Sequence, residues 1–139
     1  MDYPMSEKVA IVRVIKGIFE DFAAHRPDGI EAALDPNCTV WDVFLPELIH
    51  GQAERERYHA ADQAQSQARG KLSYEITEPL VDIWGEVGLA RYYLTFTYEP
   101  PNATSGRVRI SSVLHRVDDR WRVVHHHEGI VPLGVPTIA

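Results

Sequence analysis

From residue 72 to residue 129 the chain reads as extended segments separated by short polar turns, and no other feature restricts its fold as much. Residues 72–77 and 80–84 are rich in β-branched and aromatic types. Pro79 interrupts them, which predicts one long strand bent or bulged at that point. Residues 85–88 form a Gly-bounded turn, 89–98 a strand with an apolar centre, and 100–106 a long hairpin loop. Residues 107–117 and 120–129 then flank Asp118-Asp119 as a hairpin. Strands joined by consecutive hairpins run antiparallel, and a sheet built this way needs cover on one face.

The first half supplies that cover. Ser6 is a plausible N-cap, with Glu7 in the first turn where the helix dipole favours an acid. Val9, Val12, Ile15, Phe19 and Phe22 follow at helical spacing, which predicts a helix ending at Arg26, ahead of Pro27. Asp28 to Glu31 reads as a variant capping box that opens a short helix through Leu34, broken by Pro36 and Asn37. Residues 38–43 form a strand and 44–51, with Pro46, a loop. Residues 52–68 are good helix formers with an Ala-rich face and Tyr58 as its large residue, ended by Gly70. The tail from Ile130 carries Pro132 and Pro136 and reads as extended. The expected fold is α+β: a curved antiparallel sheet packed against N-terminal helices, one domain over 1–139, with a hollow between the layers for a ligand.

Composition removes several function classes. At 139 residues the chain buries enough surface to need no staple. Cys38 is the single cysteine, so neither an internal disulfide nor a Cys-pair metal site can form, which suits a reducing, cytoplasmic setting. The net charge is −6 with both signs scattered, so no basic stripe for nucleic acid is expected. No apolar run approaches the ~18 residues of a membrane span, and no signal-peptide pattern opens the chain. There is no Gly-rich phosphate loop and no metal-ligand spacing, so no cofactor is expected.

Three stretches carry a family resemblance. They are Asp28 to Asp42, Gly51 with the helix after it, and Val113 to Glu128 and Gly129, with its Asp-x-Arg-Trp-x-Val-Val-His-x-His core. Together they resemble the nuclear-transport-factor-2-like (cystatin-like) superfamily, especially its SnoaL-like and ketosteroid-isomerase-like branches. The third also resembles the association (hub) domain of calcium/calmodulin-dependent protein kinase II. The resemblance implies a cone-shaped sheet around a pocket, and it hosts isomerases, dehydratases, cyclases and non-catalytic modules alike. It places Asp42 where the isomerases keep a general base. Their oxyanion-hole tyrosine falls at Ile18 and their oxyanion-hole acid at Ser112, so that constellation is incomplete here. The hub's pocket arginines fall at Ser112 and Glu128, so its ligand preference does not transfer.

Alternation splits the last strand into two faces, Trp121, Val123, His125 and His127 on one and Arg122, Val124, His126 and Glu128 on the other. The resemblance turns the second set toward the pocket, with Tyr92, Leu94 and Phe96, and with Val40 and Asp42. A carboxyl in an apolar pocket has a raised pKa, which suits Asp42 to proton abstraction beside a carbonyl; the alternative is an aspartate tied to loop amides before Pro46. His126 and Glu128 are neighbours two apart and suit a proton shuttle and its orienter, or else a polar pair rimming the sheet with Arg122. Tyr58, Tyr92, Phe96, Ser112 and Val124 are the candidate ligand contacts, the two tyrosines doubling as core packing. Only His125 and His127 of the histidine run can share a metal, and packing or an interface explains them more simply. His59 is expected to face solvent, Trp41 and Trp84 the core or an interface, and Cys38 the core. Trp121, Val123, His125, His127 and Tyr93 would make a partly apolar outer face through which two copies pair. The functional expectation is a small-molecule pocket protein that moves a proton on an apolar carbonyl compound by isomerisation, dehydration or cyclisation. The alternative is a non-catalytic binding or oligomerisation module.

Overall fold

A computed structural model of the chain describes residues 3–66, 70–101 and 103–132. Helix α1 (Tyr3–Ala23) begins ahead of the expected cap at Ser6, and α2 (Pro27–Ala33) follows after a turn. The first helix ends at Ala23, ahead of the expected Arg26, with His25 at φ +57°, and Pro27 starts the second, since its fixed φ and missing N–H suit a first helical position. Asp28 therefore lies in the first turn of α2, and Arg26 holds the N-cap position without a side-chain cap. Strands β1 (Leu34–Trp41) and β2 (Ile49–His50) flank a loop, and α3 (Gly51–Ser66) leaves β2 at once. Gly51 makes that join at φ +82°, a left-handed conformation open to glycine. The rest is β3 (Leu72–Ile76), β4 (Leu80–Trp84), β5 (Val87–Tyr98), β6 (Thr104–Val117) and β7 (Arg120–Ile130). The expected extended tail lies, beyond Pro132, outside the described residues.

The sheet runs β2-β1-β7-β6-β5-β3, and β4 pairs with β5. Strands β3 and β4 lie along one side of β5, paired to residues 94–98 and 87–91, so the edge expected as one strand bent or bulged near Pro79 is two separate strands. The sheet is mixed rather than antiparallel throughout: β1 runs parallel to β7, Val40 opposite His126 and Trp41 opposite His127. Hairpins fix the direction of consecutive strands, but β1 reaches β7 through most of the chain, so no turn dictated its direction. The layers meet at Ile11, Ile15 and Phe19 of α1, packed on Ala90, Tyr92, Ile110, Leu114 and Val123. At Gly88 the helix approaches so closely that a Cβ would stand 2.6 Å from Ile11 Cδ1.

One irregularity decides what the last strand does. The step Val113–Leu114 on β6 faces the two-residue step from Val123 to His125 on β7, so Val124 is an extra residue, a β-bulge. Trp121 and Val123 are consequently buried on the helix-covered face, contrary to the expected outer placement. The Trp121 indole donates to Glu7 Oε2 at 2.6 Å. Beyond the bulge, His126 and Glu128 share that same inner face. Trp84, at 61% exposed, is not a core residue either. Cys38 is fully buried against the helices, and burial pushes its thiol up to about 11. Among the described residues no helix is long and apolar enough to cross a membrane.

Candidate functional site

Between sheet and helices lies a cavity of about 530 Å³. Its wall is mostly apolar, from Ile18, Phe22, Val40, Leu94, Phe96 and Val108 among others. A volume in this range suits a small organic ligand. Phe44 stands at the mouth, 60% exposed, edge-on to Phe96 with ring centroids 5.9 Å apart.

Asp42, Tyr58, His126 and Glu128 meet in the cavity wall. Asp42 follows the last residue of β1, where the chain turns away from the sheet. Its Oδ1 accepts the Phe44 N–H at 2.8 Å, and its Oδ2 accepts the Tyr58 hydroxyl at 3.0 Å. Glu128 Oε1 accepts the Val43 N–H at 3.2 Å, and Oε2 lies 3.1 Å from His126 Nε2. The Asp42 and Glu128 carboxyls lie near enough to feel each other's charge. Two carboxylates so placed repel, which favours a proton on one of them. Burial, then the Glu128 charge, raises the Asp42 pKa above the ordinary carboxyl value. Burial pushes Glu128 the same way, but the His126 hydrogen bond, the Val43 amide and Asp42 outweigh it and hold Glu128 below its ordinary value. Two adjacent carboxyls are thus driven apart in acidity, the pattern that separates acid from base in one site. Burial and Asp42 push the Tyr58 phenol far up, so it stays a hydrogen-bond donor.

The remaining sequence candidates divide. Phe96 lines the cavity. Ser112 and Tyr92 lie behind the wall: the fully buried Ser112 Oγ is 2.9 Å from His126 Nδ1 and 3.3 Å from the Tyr92 hydroxyl. Phe19 packs edge-on to Tyr92 at 5.9 Å and separates it from the ligand space. Val124, expected as a ligand contact, sits on the bulge and does not line the cavity, because the extra residue turns it away. Arg122 points from the inner face for the same reason, so it does not join His126 and Glu128. His125 lies on the outer side and places Nδ1 2.7 Å from Thr39 Oγ1.

Two site residues escaped the sequence reading. Arg55 of α3 lines the cavity with only 3% of its surface exposed. Its guanidinium grips both Glu31 oxygens, at 2.8 and 2.9 Å, and the Cys38 and Asp35 carbonyls. With its donors used inside the protein, it has little left for an anionic ligand. His59, expected in solvent, lines the cavity instead with Nε2 3.8 Å from Glu31. The face of α3 holding Arg55, Tyr58, His59, Asp62 and Gln65, at helical spacing, turns polar groups toward an otherwise apolar space.

On its opposite face the sheet is uncovered and carries a groove of about 580 Å³, lined by Arg91, Tyr93, Arg109, Ser111 and His127 among others. Arg107 stacks over the Tyr93 ring at 4.2 Å, and Arg91 pairs with Asp82.

Comparison with known proteins agrees with this architecture. The model of the SnoaL-like domain family matches residues 11–133. Among solved structures, a nuclear transport factor 2-like superfamily protein from Salmonella enterica superposes with a TM-score of 0.81 at 14% identity, covering 98% of this chain and 99% of its own. A protein of the same fold family from Streptomyces avermitilis, named only provisionally as a dehydratase, gives 0.81 at 15% identity over 94% and 99%. The association domain of CaMKII from C. elegans gives 0.72 at 21% identity over 93% and 99%. Identities this low establish the shared fold and leave activity to the site. Among curated protein sequences none is similar enough to match.

Proposed function

Since the chain belongs to the SnoaL-like domain family, we propose that its cavity takes up an uncharged, largely apolar carbonyl compound and exchanges a proton with it through Asp42. The observation that carries this reading is the pair of buried carboxyls, Asp42 raised and Glu128 lowered, at the wall of an apolar cavity. Proton transfer beside a carbonyl needs a group that both takes and returns a proton near working pH. Asp42 is the carboxyl of the pair shifted toward that range, a base when ionised and an acid when protonated. His126 and Glu128 orient and balance it, and the Tyr58 hydroxyl, donating to Asp42 Oδ2, fixes the carboxyl beside the ligand space. The saturated Arg55 and the negative pair both disfavour an anionic ligand. Isomerisation, dehydration and cyclisation all use this step, and one of the structurally similar proteins is named provisionally for dehydration.

A thermal-shift screen with apolar ketones, hydroxyketones, phenols and epoxides tests the binding half. A compound at 100 times its Kd adds about 2.7 kcal/mol, a rise of roughly 3–8 °C for a domain of this size. Turnover of a hit that Asp42→Asn abolishes while the fold survives supports the catalytic half. Full turnover by that variant refutes it.

A second reading rests on the uncovered outer face. Its groove and the exposed Tyr93 suit pairing of two copies, so that assembly would accompany or replace catalysis.

A further inference from the structure

Ser112 and Tyr92 are buried and do not line the cavity, yet they finish a hydrogen-bonded chain that begins at the ligand space. It runs Tyr92 hydroxyl, Ser112 Oγ, His126 Nδ1, then His126 Nε2 to Glu128 Oε2, over 3.3, 2.9 and 3.1 Å. We propose that Ser112 and Tyr92 are positioning residues that clamp His126 in its Nε2–H tautomer, so that Glu128 is held as an anion and proton exchange is left to Asp42.

The direction of the chain follows from its closed end. Tyr92 is buried, and Ser112 Oγ is the polar atom its hydroxyl reaches. If Tyr92 accepted from Ser112, its own O–H would be left without an acceptor, at a cost of about 1–3 kcal/mol. Tyr92 therefore donates to Ser112 and Ser112 to His126 Nδ1. A nitrogen that accepts carries no proton, which leaves Nε2 as the N–H, aimed at Glu128. A carboxyl receiving that N–H and the Val43 N–H is bonded as an anion. Asp42, which burial and the Glu128 charge shift upward, is then the carboxyl of the two that takes up a proton the more readily. The chain does not conduct protons away, because it stops at a phenol that burial pushes far above its ordinary value. The groups facing His126 are Glu128 on its own strand, Ser112 and Tyr92 on β6 and β5, and the Phe19 ring of α1 at 6.5 Å; Asp42 lies beyond Glu128.

This inference rests on the proton-transfer reading for its consequence: of the two carboxyls, Asp42 is the one that exchanges the proton with the ligand. Its test needs no ligand. Nitrogen-15 NMR of histidine-labelled full chain at neutral pH is expected to show His126 with Nδ1 unprotonated and Nε2 protonated. A protonated Nδ1, in the other tautomer or in an imidazolium, overturns the clamp. Ser112→Ala is expected to average the two tautomers and to move the Asp42 carboxyl titration, followed by carbon-13, to lower pH as Glu128 takes up part of the proton. Ser112→Thr, which keeps a hydroxyl, should restore both readings, and Tyr92→Phe should move both in the same direction by less. If Ser112→Ala folds and leaves both unchanged, the inference is wrong. If it does not fold, the wild-type tautomer and Tyr92→Phe decide. Failure to find turnover would overturn the catalytic reading and leave the tautomer result standing.

Discussion

Burial and the neighbouring Glu128 make the folded protein hold a proton on Asp42 more tightly than the unfolded chain does. Stability from such a group is present below its ordinary pKa of 3.8 and is lost as pH rises through the raised value. Asparagine cannot ionise. Melting of wild type and Asp42→Asn across pH should therefore show the variant gaining on the wild type as pH rises from about 4, by about 1.4 kcal/mol for each pH unit of the window. An advantage that shrinks with pH would contradict the assignment. Arg55 carries the opposite cost. Arg55→Ala would leave the Glu31 carboxylate and the Cys38 carbonyl without their partner, a loss of about 3–5 kcal/mol readable by urea unfolding. Nothing local in the sequence separates Arg55 from the exposed Arg57, because burial here depends on where β1 and α2 lie. Asp42, by contrast, is marked by the family resemblance, which places it where the isomerases keep a general base.

At the scale of elements, the strands and helices were legible because their periods are local, and the interruption at Pro79 followed from proline's missing N–H. Two features had no local sign. The parallel pairing of β1 with β7 joins segments far apart in the chain, Val40 to His126, with no turn between them to fix direction. The bulge at Val124 inserts one residue into an otherwise regular strand, and simple alternation then misplaces Trp121 and Val123 while keeping His126 and Glu128 inward. The β6–β7 turn carries a measurable strain. Asp118 and Asp119 both adopt positive φ, 52° and 60°, as a two-residue turn between twisted strands requires. Asp tolerates this conformation less well than glycine. Asp119→Gly is therefore expected to stabilise the protein by about 0.5–1 kcal/mol in thermal melting, provided the hairpin register is unchanged.

For the whole molecule, the sheet sorts charges that look scattered along the chain. Arg107, Arg109 and Arg122 project from the outer side of β6 and β7, whereas Glu128 points inward. Glu75, Glu78 and Asp82 lie at the β3–β4 side. In a dimer formed through this face about a two-fold axis along the strands, the basic side of one copy would meet the acidic side of the other. Sedimentation at micromolar protein should accordingly find a dimer that weakens with added salt. A monomer at low salt would exclude it. Cys38 gives the intact molecule a clock of its own. The thiol lies on β1, under the helices and beside the parallel seam, and is almost entirely un-ionised at neutral pH. A bulky thiol reagent can reach it only when that seam parts, so with the reagent in excess its labelling rate should approach the rate at which the molecule opens. The single sulfur would then time, without any attached probe, how often the layers around the cavity come apart.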